Sequence, residues 1–260
     1  MEHPSSRSPP LEPRPMSVRR LIRLTSPSWL AFVATTLLLA SPVLALTLDF
    51  EEFSHGDIVH GSQGVSIAIT NLGGGPNLGV AFDTTTTGNS DDDLQINSGW
   101  SGGNLAPNTN LGKVLIIQES AWGCNATRCR RPDDEGSRPA GRIELDYSAL
   151  GSFTSFSMDI VDVESTSAEP GGVVFHLGAV QVASVSFMDF LDDPSVVFGN
   201  NSANHVEVLS GISFDRVTIR MGGSGAIDNV TAAVPEPGAA LLFAMGALTV
   251  GTRVRRRTSR

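Results

Sequence analysis

Short apolar runs rich in Val, Ile, Phe and Thr recur through the middle of the chain, and Gly, Asn, Asp and Pro separate them. No helical period is sustained there, so the pattern predicts β-strands joined by turns. Strands are expected at residues 46–50, 65–70, 79–82, 114–118, 142–147, 153–163, 172–177, 180–188, 195–198, 205–209, 213–221 and 226–231. This succession predicts an all-β fold, a β-sandwich of jelly-roll type.

Alternation within two of these strands predicts part of the core. Apolar residues occupy every second position there, and polar or charged residues stand between most of them. Successive side chains of a strand point to opposite faces of the sheet, so the apolar set should point inward. This set is Val217, Ile219 and Met221 in one strand, and Phe156, Met158 and Ile160 in the other.

Two of the predicted loops are long, covering residues 83–112 and 119–141. Loops of this size in a compact domain usually have a function of their own or are mobile. The second contains Cys124 and Cys129, the only cysteines of the chain. In an oxidising compartment a disulfide between them is the preferred interpretation, since a zinc site would need further soft ligands and none is evident nearby.

The first residues have the features of a secretory signal. Arginines, among them Arg19, Arg20 and Arg23, precede an apolar run over residues 29–40, and Val43-Leu44-Ala45 suits a signal peptidase. A basic region, an apolar core and such a site predict a signal peptide over residues 1–45, with cleavage after Ala45.

The last residues combine three features in order. Val234-Pro235-Glu236-Pro237 is followed by an apolar stretch up to Thr252 and then by Arg255-Arg256-Arg257. Pro237 suits the first turn of a helix, where its missing N–H costs nothing. The apolar stretch, about 15 residues or roughly 22 Å as a helix, is short for a membrane span. The arginines would stay cytoplasmic and hold the preceding residues outside.

This order of Pro-Glu-Pro, short apolar helix and arginine cluster resembles the PEP-CTERM sorting signal of Gram-negative bacteria. The resemblance implies that residues 234–260 are recognised and processed by an exosortase during export, with a transient anchor in the inner membrane. It also implies a final location in the cell envelope, on the cell surface or in the extracellular matrix. A plain C-terminal membrane anchor is the alternative. In both cases the tail is an address and says little about the exported domain.

One exported domain is expected between these ends, over residues 46–233. Of the 18 Lys and Arg residues, 8 fall within it, and of the 27 acidic residues, 24 do. The domain therefore has a net charge near −16, compared with −9 for the whole chain. Such a surface repels nucleic acid and attracts cations. Nucleic acid is therefore not expected as a partner.

The two ends of this domain resemble the paired first and last strands of jelly-roll carbohydrate-binding modules. The resemblance rests on Asp49-Phe50-Glu51-Glu52-Phe53 and on residues 224–230, and it extends to the exported domains of many PEP-CTERM proteins. In those modules, acidic groups from the end strands often hold a structural calcium ion. The resemblance implies a calcium site with Glu51, Glu52 and Asp228 as ligands.

The sequence Asp91-Asp92-Asp93 in the first long loop is a second candidate calcium site, with Asp91 and Asp93 as ligands. Calcium needs several carboxylate oxygens, and adjacent carboxylates repel unless a cation or water separates them. Solvated acidic turns are the alternative at both candidate sites. A further acidic run, Asp159, Asp162 and Glu164, is expected at an exposed strand edge.

One tryptophan stands in each long loop, Trp100 in the first and Trp122 in the second, amid Gly, Ser and Asn. An aromatic ring beside polar groups is the usual platform for a sugar, so both are candidate polysaccharide-binding residues. The alternative is that each ring closes one end of the core.

The sequence contains little that predicts catalysis. Its histidines are scattered, and Gly222-Gly223-Ser224-Gly225 precedes a strand rather than the helix of a nucleophile elbow. We therefore expect an exported, non-catalytic protein of the cell envelope or extracellular matrix that binds extracellular polysaccharide. The alternatives are a structural surface protein without a defined ligand and a polysaccharide-active hydrolase, whose paired carboxylates the sequence leaves open.

Overall fold

The computed structural model describes residues 45–234 except 89–90, 97–98, 165–166 and 168. The strands are β1 (Ala45–Leu48), β2 (Gly61–Ser62), β3 (Val65–Asn71), β4 (Gly79–Asp83), β5 (Lys113–Ile117), β6 (Gly141–Asp146), β7 (Phe153–Val161), β8 (Gly172–Leu177), β9 (Val180–Ser186), β10 (Ala203–Phe214), β11 (Arg216–Met221) and β12 (Ala226–Ala233). Apart from Ala45 and Val234, the predicted signal peptide and sorting signal lie outside the described residues. Among the residues described, none belongs to a helix of the length and apolarity that a membrane span requires.

The strands form two antiparallel sheets of six strands each. The order of the first sheet is β10-β7-β12-β5-β4, and β1 also pairs with β12. The order of the second sheet is β2-β3-β6-β11-β8-β9. The predicted all-β sandwich is therefore confirmed.

The main core lies between the two sheets. All six side chains predicted to point inward are buried there, as the alternation of their strands requires. Aromatic rings connect the sheets: the ring of Phe175 in β8 lies 5.4 Å from that of Phe156 in β7 and 5.1 Å from that of Phe214 in β10. Edge-to-face contacts of this kind add to the stabilisation from burial.

A second apolar cluster covers the outer face of the first sheet. Val114 and Ile116 of β5 contribute to it from the sheet, and Leu94, Trp100 and Leu111 contribute from the first long loop. Because the loop covers this face, β5 is buried on both sides. This burial explains why its apolar residues run consecutively instead of alternating.

The predicted strand at 195–198 is wrong. These residues form a turn and an extended segment outside both sheets, where Val196 N–H donates to the Asp193 carbonyl. The side chain of Asn204 bonds both backbone groups of Val197, with N–H to Oδ1 at 3.0 Å and Nδ2 to the carbonyl at 3.0 Å. A side-chain amide thus replaces a strand partner.

Two other predicted strands end differently in the structure. The strand expected over 180–188 ends at Ser186, which caps a 3-10 helix at Phe187–Asp192 together with Asp189. The strand expected over 213–221 is interrupted at Asp215, whose N–H donates to the His176 carbonyl and whose carboxylate accepts the N–H of Gly178. Local polar bonds therefore break both apolar runs.

Candidate functional site

One end of the first sheet collects the polar residues of a candidate site. The last residue of β7, Val161, pairs with the first residue of β12, Ala226. Asp162 follows β7, the Ser224–Gly225 turn precedes β12, and Gln118 follows β5, which also pairs with β12. Antiparallel pairing therefore places these three segments side by side, and both long loops reach them.

Three aspartates from the two long loops meet at this end. Asp91 comes from the first loop, and Asp133 and Asp134 come from the second. One carboxylate oxygen from each lies within 4.8 Å of the others. Asp91 and Asp134 are buried and Asp133 is half-buried. We refer to Asp91, Asp133 and Asp134 as the acidic cluster.

Asp134 is anchored by the turn that precedes β12. Its Oδ2 accepts a hydrogen bond from Ser224 Oγ at 2.7 Å and another from the Gly225 N–H. Ser224 Oγ also lies 2.8 Å from Asp162 Oδ2. A hydroxyl carries one proton, so it donates to one carboxylate at a time, and the other contact requires a proton on the carboxyl group.

The carboxylate of Asp91 is used only on one side. Its Oδ1 accepts the N–H groups of Asp93 at 2.9 Å and Leu94 at 3.4 Å, an Asx-type turn that fixes the side chain. Its Oδ2 is buried and accepts no N–H or hydroxyl group, and the side-chain contact of Asp91 is with the carboxyl group of Asp134. Asp93, the other predicted ligand in this loop, does not belong to the acidic cluster. Its backbone carbonyl accepts from Asn201 Nδ2 at 2.7 Å.

Gln118 holds the second loop close to its two aspartates. Its side chain is fully buried. Its Oε1 accepts the Asp133 N–H at 3.3 Å, and its Nε2 donates to the Ser120 and Arg131 carbonyls at 3.2 and 3.1 Å. One buried amide thus ties both ends of the loop to the end of β5.

Burial and mutual repulsion make this region electrostatically unfavourable for anions. Burial, followed by the charge of Asp91 and a side-chain hydrogen bond with it, raises the pKa of Asp134 well above its usual range. Burial, with the charges of Asp91 and Glu119, raises the pKa of Asp133 to about 6, and burial raises the pKa of Asp162 to about 7. Across the described ranges, no Lys, Arg or His nitrogen lies within 4.0 Å of the acidic cluster.

The structure does not bring Glu51, Glu52 and Asp228 together as one metal-binding group. Glu51 Oε1 accepts the backbone N–H of Lys113 at 2.6 Å, and Glu52 bonds to the hydroxyl of Ser62. Asp228 is only 1% exposed, and its Oδ1 has no partner. Each glutamate therefore serves a local contact, and Asp228 belongs to a separate network.

That network runs across three strands of the first sheet. Asp159 of β7 contacts His205 Nδ1 of β10 at 2.7 Å and accepts from Asn229 Nδ2 of β12 at 2.8 Å. Burial raises the pKa of neighbouring Asp228 to about 9. The hydrogen bonds found among the described residues give His205 no serine or cysteine partner, so the network does not form a nucleophile triad.

The prediction that Asp159 and Asp162 lie at an exposed strand edge is wrong. Asp159 is 5% exposed and Asp162 is 1% exposed. Asp159 lies between His205 and Asn229 of the neighbouring strands, and Asp162 lies beside Ser224 and Asn201 at the end of the sheet. Hydrogen bonds compensate part of the cost, including the Asn201 N–H to Asp162 Oδ1 at 2.5 Å.

The two tryptophans have opposite environments. Trp100 is 4% exposed and its Nε1–H donates to the Thr109 carbonyl at 2.9 Å, so it packs in the second apolar cluster. Trp122 is 67% exposed, and the Arg131 guanidinium lies 4.5 Å from its ring centroid. Cys124 and Cys129, which stand between Trp122 and Arg131 in the sequence, are joined by a disulfide. Only Trp122 presents a ring to solvent.

Sequence reasoning missed Asp133 and Asp134 as site residues. The signal that would have found them is the acidic triplet Asp133-Asp134-Glu135, which repeats the pattern of Asp91-Asp92-Asp93 in the other long loop. The contact between the two loops depends on sheet pairing, and no spacing along the chain indicates it.

No protein-family model and no curated protein sequence matches the chain. Among solved structures, a crystal structure of tandem family 51 carbohydrate-binding modules from the family 98 glycoside hydrolase of Streptococcus pneumoniae SP3-BS71 is similar at 11% identity and a TM-score of 0.34. The similarity covers 74% of this chain and 48% of that one, so the chain spans about half of that structure.

Proposed function

We propose that the chain is an exported, non-catalytic protein of the cell envelope or extracellular matrix that binds extracellular polysaccharide. Its domain, a β-sandwich that we assign to the jelly-roll type, would be delivered by the exosortase-type signal over residues 234–260. The signal peptide over residues 1–45 would start the export.

Trp122 is the observation that carries the binding part of this proposal. A large aromatic ring that is 67% exposed gains little from the fold. Its loop is held by the Cys124–Cys129 disulfide and by the buried Gln118, so the ring is positioned before a ligand arrives. Preorganisation of this kind lowers the entropic cost of binding.

Arg131 supports the same assignment. Its guanidinium lies against Trp122, and it is one of eight cationic residues in a strongly acidic domain. An aromatic face beside an arginine offers both stacking and hydrogen-bond donors to a sugar that carries hydroxyl or carboxylate groups.

A glycan array with the purified protein, followed by titration of the strongest polysaccharide, tests the proposal. The Trp122→Ala variant should weaken binding by at least about tenfold, the scale of a central aromatic contact. Val180→Ala is the matched control, because Val180 is also exposed, at 65%, but lies in a strand of the second sheet. Binding that survives Trp122→Ala, or the absence of any glycan ligand, would favour a structural surface protein instead.

A further inference from the structure

We infer that the acidic cluster of Asp91, Asp133 and Asp134 is a binding site for a divalent cation of the calcium type. The cluster joins the two long loops at one end of the first sheet. It differs from both sites predicted from the sequence, because it combines one aspartate of the first loop with two of the second.

The unpartnered oxygen of Asp91 is the observation that points to a ligand. Asp91 is 9% exposed, and Oδ2 accepts no N–H or hydroxyl group. A buried acceptor without a donor costs several times the net value of a hydrogen bond when it is ionised. Oδ1 already accepts two backbone N–H groups. The turn therefore fixes the side chain and leaves Oδ2 for another partner.

The side chains that face the Asp91 carboxylate are further carboxyl groups. Oxygens of Asp133 and Asp134 lie within 4.8 Å of an Asp91 oxygen, and Glu119 adds its charge beside Asp133. Oxygens that share one hard cation are separated by distances of this order, since each lies 2.3–2.6 Å from calcium. Among the described residues, no lysine, arginine or histidine forms a salt bridge with the cluster. A cation from solvent would balance this charge.

The donor set fits calcium better than the other common divalent cations. It consists of carboxylates without a cysteine or histidine, which excludes the ligand types that zinc and copper prefer. Calcium accepts six to eight oxygens in irregular geometry and completes its shell with water. Asp133 is half-buried, so the site has a side open to solvent. Magnesium demands closer to ideal octahedral geometry, which three side chains from two loops do not impose.

The contacts that hold the Asp134 carboxyl group are those expected around a metal ligand. Ser224 Oγ and the Gly225 N–H both bond to Oδ2 and so fix the carboxyl group of Asp134 beside Asp91. Gly225 has φ of 141°, and a Cβ there would lie 2.9 Å from the Val161 carbonyl oxygen. Glycine therefore lets the backbone N–H approach the carboxylate. Such outer contacts orient the ligands of a metal.

Calcium titration of the full-length protein tests this site through thermal unfolding and calorimetry. With calcium at tenfold its dissociation constant, we expect the melting temperature to rise by about 3–6 °C above the value in chelator. A dissociation constant on the order of 10⁻⁴ to 10⁻³ M is typical of extracellular calcium modules. An equal response to magnesium would overturn the choice of calcium.

Asp91→Asn gives the sharpest variant, because it removes the charge and the calcium response together. In chelator it should raise the melting temperature, since it removes a buried like charge. Addition of calcium should not raise the melting temperature of this variant further. Asp133→Asn should lose the calcium response as well. It is preferred to Asp134→Asn, because Asp134 is anchored by Ser224 and Gly225 and its substitution could prevent folding. Asp92→Asn is the control, because Asp92 is exposed in the same turn and lies outside the cluster.

Loss of the calcium response in Asp91→Asn and Asp133→Asn, with retention in Asp92→Asn, supports the site. Two outcomes overturn it. One is the absence of any calcium-dependent shift up to about 10 mM, tenfold above the weakest typical extracellular site. The other is a full shift in Asp91→Asn, which would locate binding elsewhere. The competing explanation is a proton shared between Asp91 and Asp134, and it predicts no calcium-dependent shift.

Discussion

A carboxylate oxygen of Asp91 lies within 4.8 Å of a carboxylate oxygen of Asp134, and both side chains are buried. Two unit charges at such a distance repel by about 4 kcal/mol at an effective dielectric constant of 20. The contact between the two long loops is therefore stable only with a proton or a cation at the cluster. A shared proton and a bound cation differ in how the protein then responds to substitution, to pH and to calcium.

Gln118→Leu should destabilise the protein by about 1–3 kcal/mol, because it removes the amide that bonds the Ser120 and Arg131 carbonyls and the Asp133 N–H. Limited proteolysis should then cut within residues 119–134 faster than in the wild type. The control is Gln181→Leu, an exposed position in β9. Equal cleavage rates in all three proteins would show that Gln118 does not hold the loop.

Ser224→Ala should lower the free energy of unfolding by about 1–3 kcal/mol, since Asp134 and Asp162 both lose their contact with the hydroxyl. Denaturant unfolding measures this loss. Ser184→Ala, at an exposed position of β9, should change it by no more than about 0.5 kcal/mol. Similar values for the two variants would mean that the hydroxyl does not support the cluster.

Asp228→Asn should flatten the pH dependence of stability. The pKa of Asp228 is about 9 in the folded protein against 3.8 ordinarily, because burial and the charges of Asp159, Glu51 and Asp49 oppose ionisation. Between these values the folded state keeps a proton that the unfolded chain has lost. Stability therefore falls as pH rises through this window, by up to about 1.4 kcal/mol per pH unit.

Asparagine cannot ionise, so Asp228→Asn should remove that slope, as denaturant unfolding in chelator at several pH values would measure. Asp192→Asn, an exposed position in the 3-10 helix, serves as the control. His205 is also ionisable and faces this network through Asp159, so His205→Gln is combined with both variants to remove its contribution. An unchanged slope in Asp228→Asn would show that Asp228 is ionised in the folded state.

Deletion of residues 235–260 should change the destination of the protein, if the tail is the sorting signal that its Pro-Glu-Pro, apolar and arginine segments resemble. Cell fractionation and the mass of the exported product report the outcome. Val234 is retained because it packs against the main core. Delivery to the same place with the same mass would contradict the sorting assignment.

The sandwich was predictable because its strands follow simple burial rules. Alternation in β11 and β7 predicted which side chains are buried, and all of those are buried. The failures occur where side chains replace backbone partners. Asn204 bonds the backbone of Val197 and Ser186 caps a 3-10 helix, and neither contact leaves a signal in apolar periodicity.

The acidic cluster was only partly predictable. Asp91 was identified because a run of acids is visible in the sequence, but its partners Asp133 and Asp134 come from a loop that only the sheet pairing brings near. Burial of Asp159 and Asp162 depends on strand pairing and on contacts with Asn201 and Ser224, which are distant in the sequence. Trp100 and Trp122 have similar sequence surroundings, and only the packing of the first loop against the sheet makes Trp100 a core residue.

A crystal structure of the protein grown with calcium chloride, with anomalous scattering measured at a long wavelength, tests the cation site most directly. The account predicts an anomalous peak about 2.3–2.6 Å from oxygens of Asp91, Asp133 and Asp134. The cation site is contradicted if crystals grown with calcium give no peak there and the carboxyl groups of Asp91 and Asp134 stay in direct contact, as a shared proton requires.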